Sequence, residues 1–391
     1  MVLSSVLAVL QCIERELLLF AAFWFIVGAL DELAIDLCWL WLRLSGRARD
    51  ARLPEDFARR PLAARVAVLV PAWHEAEVIA QMIAHATRAW PQEAMRLYVG
   101  CYRNDPATLA AAMAGAGEDA RVRIVIHDRD GPTTKADCLN RLYEATREDE
   151  ARCGMLHATI VLHDAEDMVH PAALAAIDAG LVHHDFVQLP VRPEPQGSSP
   201  WIAGHYSDEF TEAHAKTLVV RDALRAAIPA AGVGCGFARA AIDRLAQERA
   251  ALGEAGPFSP DCLTEDYELG LLVSQEAGSG RFLRLRDASG ALVATRAFFP
   301  NDLGEAVRQK TRWIHGIALQ GWDRLGWRGR LVDLWMSLCD RRGPLTALVL
   351  AAAYGLIVIE AALGSARVAG WLPPVDASPV LRAMLTISFV S

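Results

Sequence analysis

Lysine is scarce in this chain. Of 39 basic residues only Lys135, Lys216 and Lys310 are lysine, so the cationic surface is almost entirely arginine. The formal net charge is −8, and this acid excess excludes a nucleic-acid binder, whose footprint is a basic patch or stripe. No C-x-x-C pair occurs among the eight scattered cysteines (Cys12, Cys38, Cys101, Cys138, Cys153, Cys235, Cys262, Cys339). They read as reduced and structural, which argues against a zinc site and fits a cytoplasmic core. Internal repeats and low-complexity tracts are missing as well. The surplus is apolar: 53% of 391 residues, with a positive mean hydropathy. That is high for a soluble protein and points to membrane segments. The length allows one large or two medium domains.

After an N-terminal segment, 1–16, the run Leu17 to Leu30 is uncharged, and apolar character resumes past Asp31, Glu32 and Asp36 through Leu42. Residues 17–42 are therefore expected to form a tilted transmembrane helix. Its acids either lie near an interface or face a partner helix, because intramembrane carboxylates are costly. Glu14 and Glu16 stand where a signal peptide would be basic, and no small-residue cleavage site is present after them. Arg43, Arg47, Arg49, Arg52, Arg59 and Arg60 come next. By the positive-inside rule they place the residues after 43 in the cytoplasm and the N-terminus outside. Pro54 and Pro61 mark a linker, 43–65.

Toward the other end, residues 321–343 interleave Trp322, Leu325, Leu331, Leu334, Trp335 and Leu338 with arginines. This reads either as an amphipathic helix at the membrane surface or as a core helix. Arg341 and Arg342 precede a second apolar span, 344–363. Residues 364–391 read as a loop and the start of a further apolar segment. Pro379 to Val390 is too short to cross, so the chain is expected to continue past Ser391.

Between the spans, residues 66–320 alternate strand and helix. Val66 to Pro71 leads to Glu75, Arg96 to Cys101 leads to Asn104-Asp105, and Val122 to Ile126 leads to Asp128 through Lys135. Thr159 to Leu162 is an uninterrupted β-branched-rich run, suited to a strand buried on both faces, and leads to Asp164, Glu166 and Asp167. This rhythm predicts a doubly wound, mostly parallel α/β sheet with its loops gathered on one edge, where ligands bind. Three acids in one turn cannot all ionise cheaply. A divalent metal with oxygen ligands that also holds phosphate would resolve the conflict, and a solvated acidic turn is the alternative.

Asp185 to Val191 is a candidate fifth strand, and Ser207 to Ile228 a helix. Gly232 to Gly236 is glycine-rich, either for close backbone approach to a ligand or as a flexible turn. In Thr264-Glu265-Asp266, Thr264 could cap a helix whose first turn is acidic, as the macrodipole favours in any case. A hairpin is expected around Asp287 to Gly290. Gln309, Arg312 and Trp313 share one helix face at i, i+3 and i+4, and offer a guanidinium for phosphate and an indole for stacking.

In this order, Asn104-Asp105, Asp164-Ala-Glu166, Thr264-Glu-Asp266 and Gln309-x-x-Arg312-Trp313 resemble the family 2 glycosyltransferases of GT-A fold. They resemble in particular the membrane-embedded group that includes cellulose and hyaluronan synthases, and the type known as the inner-membrane subunit of a phage adsorption receptor. The resemblance covers roughly residues 15–365. It implies an inverting, metal-dependent transferase that moves sugar from a nucleotide-diphosphate donor, by expectation a UDP-sugar, to a glycan or lipid-linked acceptor. It further implies polysaccharide synthesis at the cytoplasmic face of a bacterial inner membrane, a multi-pass topology among membrane lipids, and an outer-membrane or periplasmic export partner. Asp105, with Glu75 and Lys135, would contact the uridine and first phosphate, and Gly236 would lie against the substrate. Asp164 and Glu166 would hold Mg²⁺ or Mn²⁺ on the diphosphate. Asp266, with Glu265 beside it, matches the general base. Gln309, Arg312 and Trp313 would hold pyrophosphate and acceptor. The third D-x-D position is glutamate here, which leaves both Glu166 and Asp167 as candidates to complete the metal shell. A non-catalytic scaffold or receptor subunit keeping the fold is the alternative.

Overall fold

The computed structural model describes residues 2–197, 199–276, 280–372 and 379–390. The chain divides into two compact units, Met1–Trp41 with Ser337–Ser391, and Leu42–Met336.

The first unit is helical. The helix Val2–Leu44 is longer than the 17–42 expected, because no proline and only Gly28 interrupt it. The helix Gly343–Val368 extends the expected 344–363 at both ends. Both are long and apolar enough to cross a membrane. Two acids of the first helix meet the residue that caps the other: Arg342 reaches Asp31 at 2.5 Å and also pairs with Glu32. Arg367 bridges Glu14 at 3.3 Å and Glu360 at 2.6 Å. Such pairing offsets the cost of carboxylates in an apolar setting. A helix, Pro379–Val390, comes last. Residues 373–378 of the expected loop lie outside the described residues.

Among the described residues, the second unit holds eleven short strands: β1 (Ala51–Arg52), β2 (Arg65–Pro71), β3 (Met95–Cys101), β4 (Val122–Ile126), β5 (His157–Leu162), β6 (Phe186–Gln188), β7 (Val191–Pro193), β8 (Cys235–Ala238), β9 (Gly280–Phe282), β10 (Leu285–Arg286) and β11 (Thr295–Ala297). Seven form one sheet in the order β4-β3-β2-β5-β8-β6-β9. β4 through β5 are parallel, β8 runs antiparallel to both its neighbours, and β6 and β9 are parallel to each other. Val66 through Val70 are fully buried, as a central strand covered on both faces requires. At roughly 1.5–3 kcal/mol for each large apolar side chain, that strand anchors the sheet.

Several expectations change in detail. The linker 43–65 is not free: β1 pairs with β10, and Asp50 pairs with Arg284 and Arg286. The fifth strand splits, because Pro190 cannot donate to the ladder. β6 stays in the sheet, and β7 pairs with β11. The helix expected over 207–228 starts earlier, at Pro200, passes through a π-helical turn at Ala213–Thr217 and ends at Ala223. The amphipathic segment 321–343 is not one helix. Helices Gly321–Leu325 and Leu331–Arg341 are separated where Gly326 and Gly329 take positive φ of 61° and 105°. The hairpin around Asp287 forms, closed by hydrogen bonds from Asp287 N–H to Ala291 O and Val293 N–H to Leu285 O.

Candidate active site

The chain runs outward from β2 to β3 and β4, then returns to the other side of β2 as β5. Strand order therefore reverses between β2 and β5, and a crevice opens outside their carboxyl ends. Glu75 comes after β2 and Asp164 after β5. Lys135 is the first residue of the helix Lys135–Cys153, which Thr134 and Asp137 cap reciprocally. Its Nζ lies 2.5 Å from Asp164 Oδ1.

Asp266 comes to the same ammonium from far along the chain. It opens the helix Glu265–Glu276, and Gly232 lies directly against it. A Cβ on Gly232 would stand 2.2 Å from Asp266 Oδ2 and 3.3 Å from Lys135 Nζ. This glycine also has φ +75°. Burial opposes the charge on Lys135, but Asp164, Glu265 and Asp266 overcome it and hold the ammonium above its ordinary range. Asp266 is pushed up by burial, against the opposing pull of Lys135 and Arg312. Burial, then Asp164, Asp167 and Glu75, push Glu166 up to about 8. Glu75 is likewise raised by burial, then by Asp164 and Asp105. The crevice thus joins Glu75, Lys135, Asp164, Glu166, Asp266 and Arg312.

Other motif residues do structural work. Both Asp105 oxygens accept backbone N–H groups, from His74 at 2.7 Å and from Thr108 at 3.3 Å, so this acid caps a helix and pins the loop after β2. Its neighbour Asn104 exchanges two hydrogen bonds with Gly131, at 2.7 and 2.8 Å, tying the loop after β3 to the loop after β4. Asp167 turns inward, fully buried, accepting from His163 Nδ1 at 2.7 Å and from Asp164 N–H at 3.0 Å. Gly236 is not at the crevice: it lies in β8, where an added Cβ would meet Ile177 Cγ2 at 2.2 Å, so it serves helix-on-sheet packing. The Thr264 hydroxyl is buried without a hydrogen bond, so it is not the expected cap. Gly316 instead packs against it from a π-helical turn. Gln320 fastens the same loop, accepting from Leu263 N–H at 2.9 Å. Trp313 joins an aromatic group with Tyr206, Phe210 and Phe299, with Lys310 Nζ 5.3 Å from its ring centroid.

Residues 63–316 match the family described as "Glycosyltransferase like family 2". The chain belongs to this family. Two curated relatives, bacteriophage adsorption protein B of Escherichia coli strain K12 and bacteriophage N4 adsorption protein B of Escherichia coli O157:H7, are each 32% identical over 344 residues. The match takes in 83% of this chain but 46% of each relative, so the chain spans about half the length of these relatives. Among solved structures, a mannosyltransferase from Pyrobaculum calidifontis, in complex with GDP-Man and Mn²⁺, superposes with TM-score 0.56 at 18% identity. That superposition covers 97% of this chain and 98% of the other, and the likeness carries the GT-A fold.

Among the described residues of this family 2 member, no three His, Cys, Asp or Glu side chains gather as a metal-binding group. Two carboxylates still fit a cation that completes its shell with substrate phosphate and water, the usual habit of Mg²⁺. The acid excess around Glu166 is the feature such a cation would relieve. Glu265, pushed up to about 7 mainly by burial, lines a different cavity of about 320 Å³ with Glu268 and Arg324. A cavity of about 1030 Å³ near Arg59, Arg88 and Gln92 includes none of the crevice acids. Sequence reasoning did not single out Gly232 within its glycine-rich run, nor Gln188. The fully buried Gln188 accepts from Ala231 N–H at 2.8 Å and donates to Val233 O at 2.9 Å, shaping the loop that carries Gly232. Its only signal was a lone polar residue in an apolar strand.

Proposed function

We propose that this family 2 member is an inverting glycosyltransferase moving sugar from a nucleotide-diphosphate donor, by preference a UDP-sugar, to a glycan or lipid-linked acceptor. One observation carries the reading: Asp164 and Asp266, about a hundred residues apart, act on the same ammonium of Lys135.

Asp266 is the base. It accepts the acceptor's hydroxyl proton as that oxygen attacks the anomeric carbon and the nucleoside diphosphate departs from the opposite side. Its raised affinity for protons, set by burial, suits that task. With one base and no enzymic nucleophile, the anomeric centre inverts. Asp164 and Glu166 are the residues to hold Mg²⁺ or Mn²⁺, which when bound supplies charge neutralisation on the leaving diphosphate. Asp167 is already engaged with His163, which favours Glu166 for that shell. Lys135 and Arg312 add fixed positive charge beside the leaving group. Glu75, and the loop that Asp105 pins, face the nucleoside end; Gln309 and Trp313 line the acceptor side. Glu265 helps to seat the helix that presents Asp266.

The apolar helices Val2–Leu44 and Gly343–Val368, with arginines after the first and before the second, support a multi-pass inner-membrane protein whose catalytic unit is cytoplasmic. Polysaccharide synthesis and an export partner across the envelope belong to the same reading.

The test is Asp266→Asn with a panel of nucleotide sugars in detergent, measuring diphosphate release and donor binding separately. Transfer should vanish while donor binding persists; full transfer by the variant removes Asp266 from the base role. A second reading, a non-catalytic receptor subunit, draws on the relatives' names, which concern phage adsorption. Absence of metal-dependent release by the wild-type protein across the whole panel would favour it.

A further inference from the structure

Where the helix Val2–Leu44 ends, the next residues turn back onto the sheet domain rather than trailing away. Arg43 occupies the helix's last turn. Six residues on, Arg49 packs over Gly46, and Asp50 accepts from Arg284 Nε at 2.8 Å and pairs with Arg286 Nε at 2.9 Å. β1 then pairs with β10, and Leu53 N–H donates to Arg286 O at 2.7 Å. These contacts border a cavity of about 470 Å³ lined by Arg43, Ala48, Arg49, Asp50 and Arg286. Three guanidiniums and one carboxylate leave its wall at a formal charge of +2. Both oxygens of Asp50 are engaged by Arg284 and Arg286.

We propose that this cavity is a phosphodiester site occupied by the headgroup of an anionic phospholipid. Guanidinium forks match phosphate oxygens bidentately. The cavity begins at the final turn of a helix long and apolar enough to cross a bilayer, the depth at which headgroup phosphates lie. It is large enough for a headgroup and too polar for acyl chains, which would remain in the bilayer. This site does not depend on the sugar-transfer reading.

The experiment titrates the detergent-purified full chain with dioctanoyl-phosphatidylglycerol, dioctanoyl-phosphatidylcholine and inorganic phosphate, with bound ligand measured by native mass spectrometry. Phosphatidylglycerol should bind about tenfold more tightly than phosphatidylcholine. Arg49→Ala and Arg43→Ala should each weaken it about fivefold, the worth of one arginine near a charged surface. Arg49→Lys, which keeps the charge, should retain most of the preference. Inorganic phosphate binding as tightly as the lipid, and lost in the same variants, would overturn the lipid assignment in favour of free phosphate. Equal affinity for the two lipids, or a preference unchanged in both alanine variants while they melt like wild type, would overturn the site.

Discussion

Gly232→Ala tests the crevice more sharply than removal of any of its acids. The new Cβ would stand 2.2 Å from Asp266 Oδ2, whereas an ordinary contact is at least 3.4 Å, so one of the two must give by about 1 Å. The carboxylate is the softer party, being the end of a side chain, while the Gly232 backbone is fixed by Gln188 through Ala231 and Val233. A displacement of that size in a reacting group costs about a hundredfold in rate. The backbone adds its own term: alanine at φ +75° is disfavoured by about 1–2 kcal/mol. Diphosphate release should therefore fall about a hundredfold, with only a modest drop in melting temperature. Gly236→Ala is the control. Its Cβ would meet Ile177 at 2.2 Å, away from the crevice, so it should cost about 1–3 kcal/mol of stability and spare the rate of the folded fraction. If Gly232→Ala works within a few-fold of wild type, Asp266 does not act from the position argued for it.

Two further outcomes rest on buried polar groups. His214 is buried, accepts from Val191 N–H at 3.1 Å, and is pushed down to about 3, chiefly by burial and then by Arg284. Its folded pKa lies below its unfolded one, so its stabilising contribution is complete above about pH 6.5 and is lost as pH falls toward 3. Urea unfolding should show about 2 kcal/mol lost between pH 7.5 and 5 that a His214→Gln variant does not lose; identical pH slopes would refute this. Gln188→Leu orphans the partly buried Ala231 N–H and leaves Val233 O without its side-chain donor, and should cost about 1 kcal/mol in melting experiments. It should also lower turnover through the Gly232 loop, and an unchanged rate would show that the loop does not need this anchor.

The α/β layers were legible because β2, β3 and β5 are nearly continuous apolar runs, and parallel strands buried on both faces have no other pattern to show. The acid turn after β5 was legible for the related reason that Asp164, Glu166 and Asp167 end such a run with no basic residue nearby in sequence. What could not be read was direction and distance. Nothing local says that Cys235–Ala238 enters the sheet antiparallel between β5 and β6, since four residues carry no sign of their partner. Asp105 and Asp167 looked like site acids, yet their oxygens serve backbone N–H groups and a histidine. Gly232 and Gly236 looked alike in one glycine-rich run. Only tertiary contacts separate the one that makes room for a carboxylate from the one that makes room for a helix. The break in 321–343 was hidden because Gly326 and Gly329 sit inside an otherwise helical pattern.

The electrostatics of the crevice bear on why these acids stay together. Asp164 acts on Glu75, Glu166 and Asp266 in the crevice and on Glu265 beside it, while Lys135 and Arg312 pull Asp266 the other way. Glu75, Glu166, Glu265 and Asp266 are each pushed upward, first by burial and in every case also by a neighbouring acid. An arrangement selected only for stability would pair them as Glu268 is paired with Arg324, or turn them inward as Asp167 is turned to His163. Instead a single lysine serves two separate parts of the chain. Under the proposed function, a nucleoside diphosphate entering this crevice would add negative charge to an existing surplus, so donor and positive charge would have to arrive together. Buried carboxylates that are costly alone become useful with that pair, which is the arrangement a phosphate-leaving-group transferase needs.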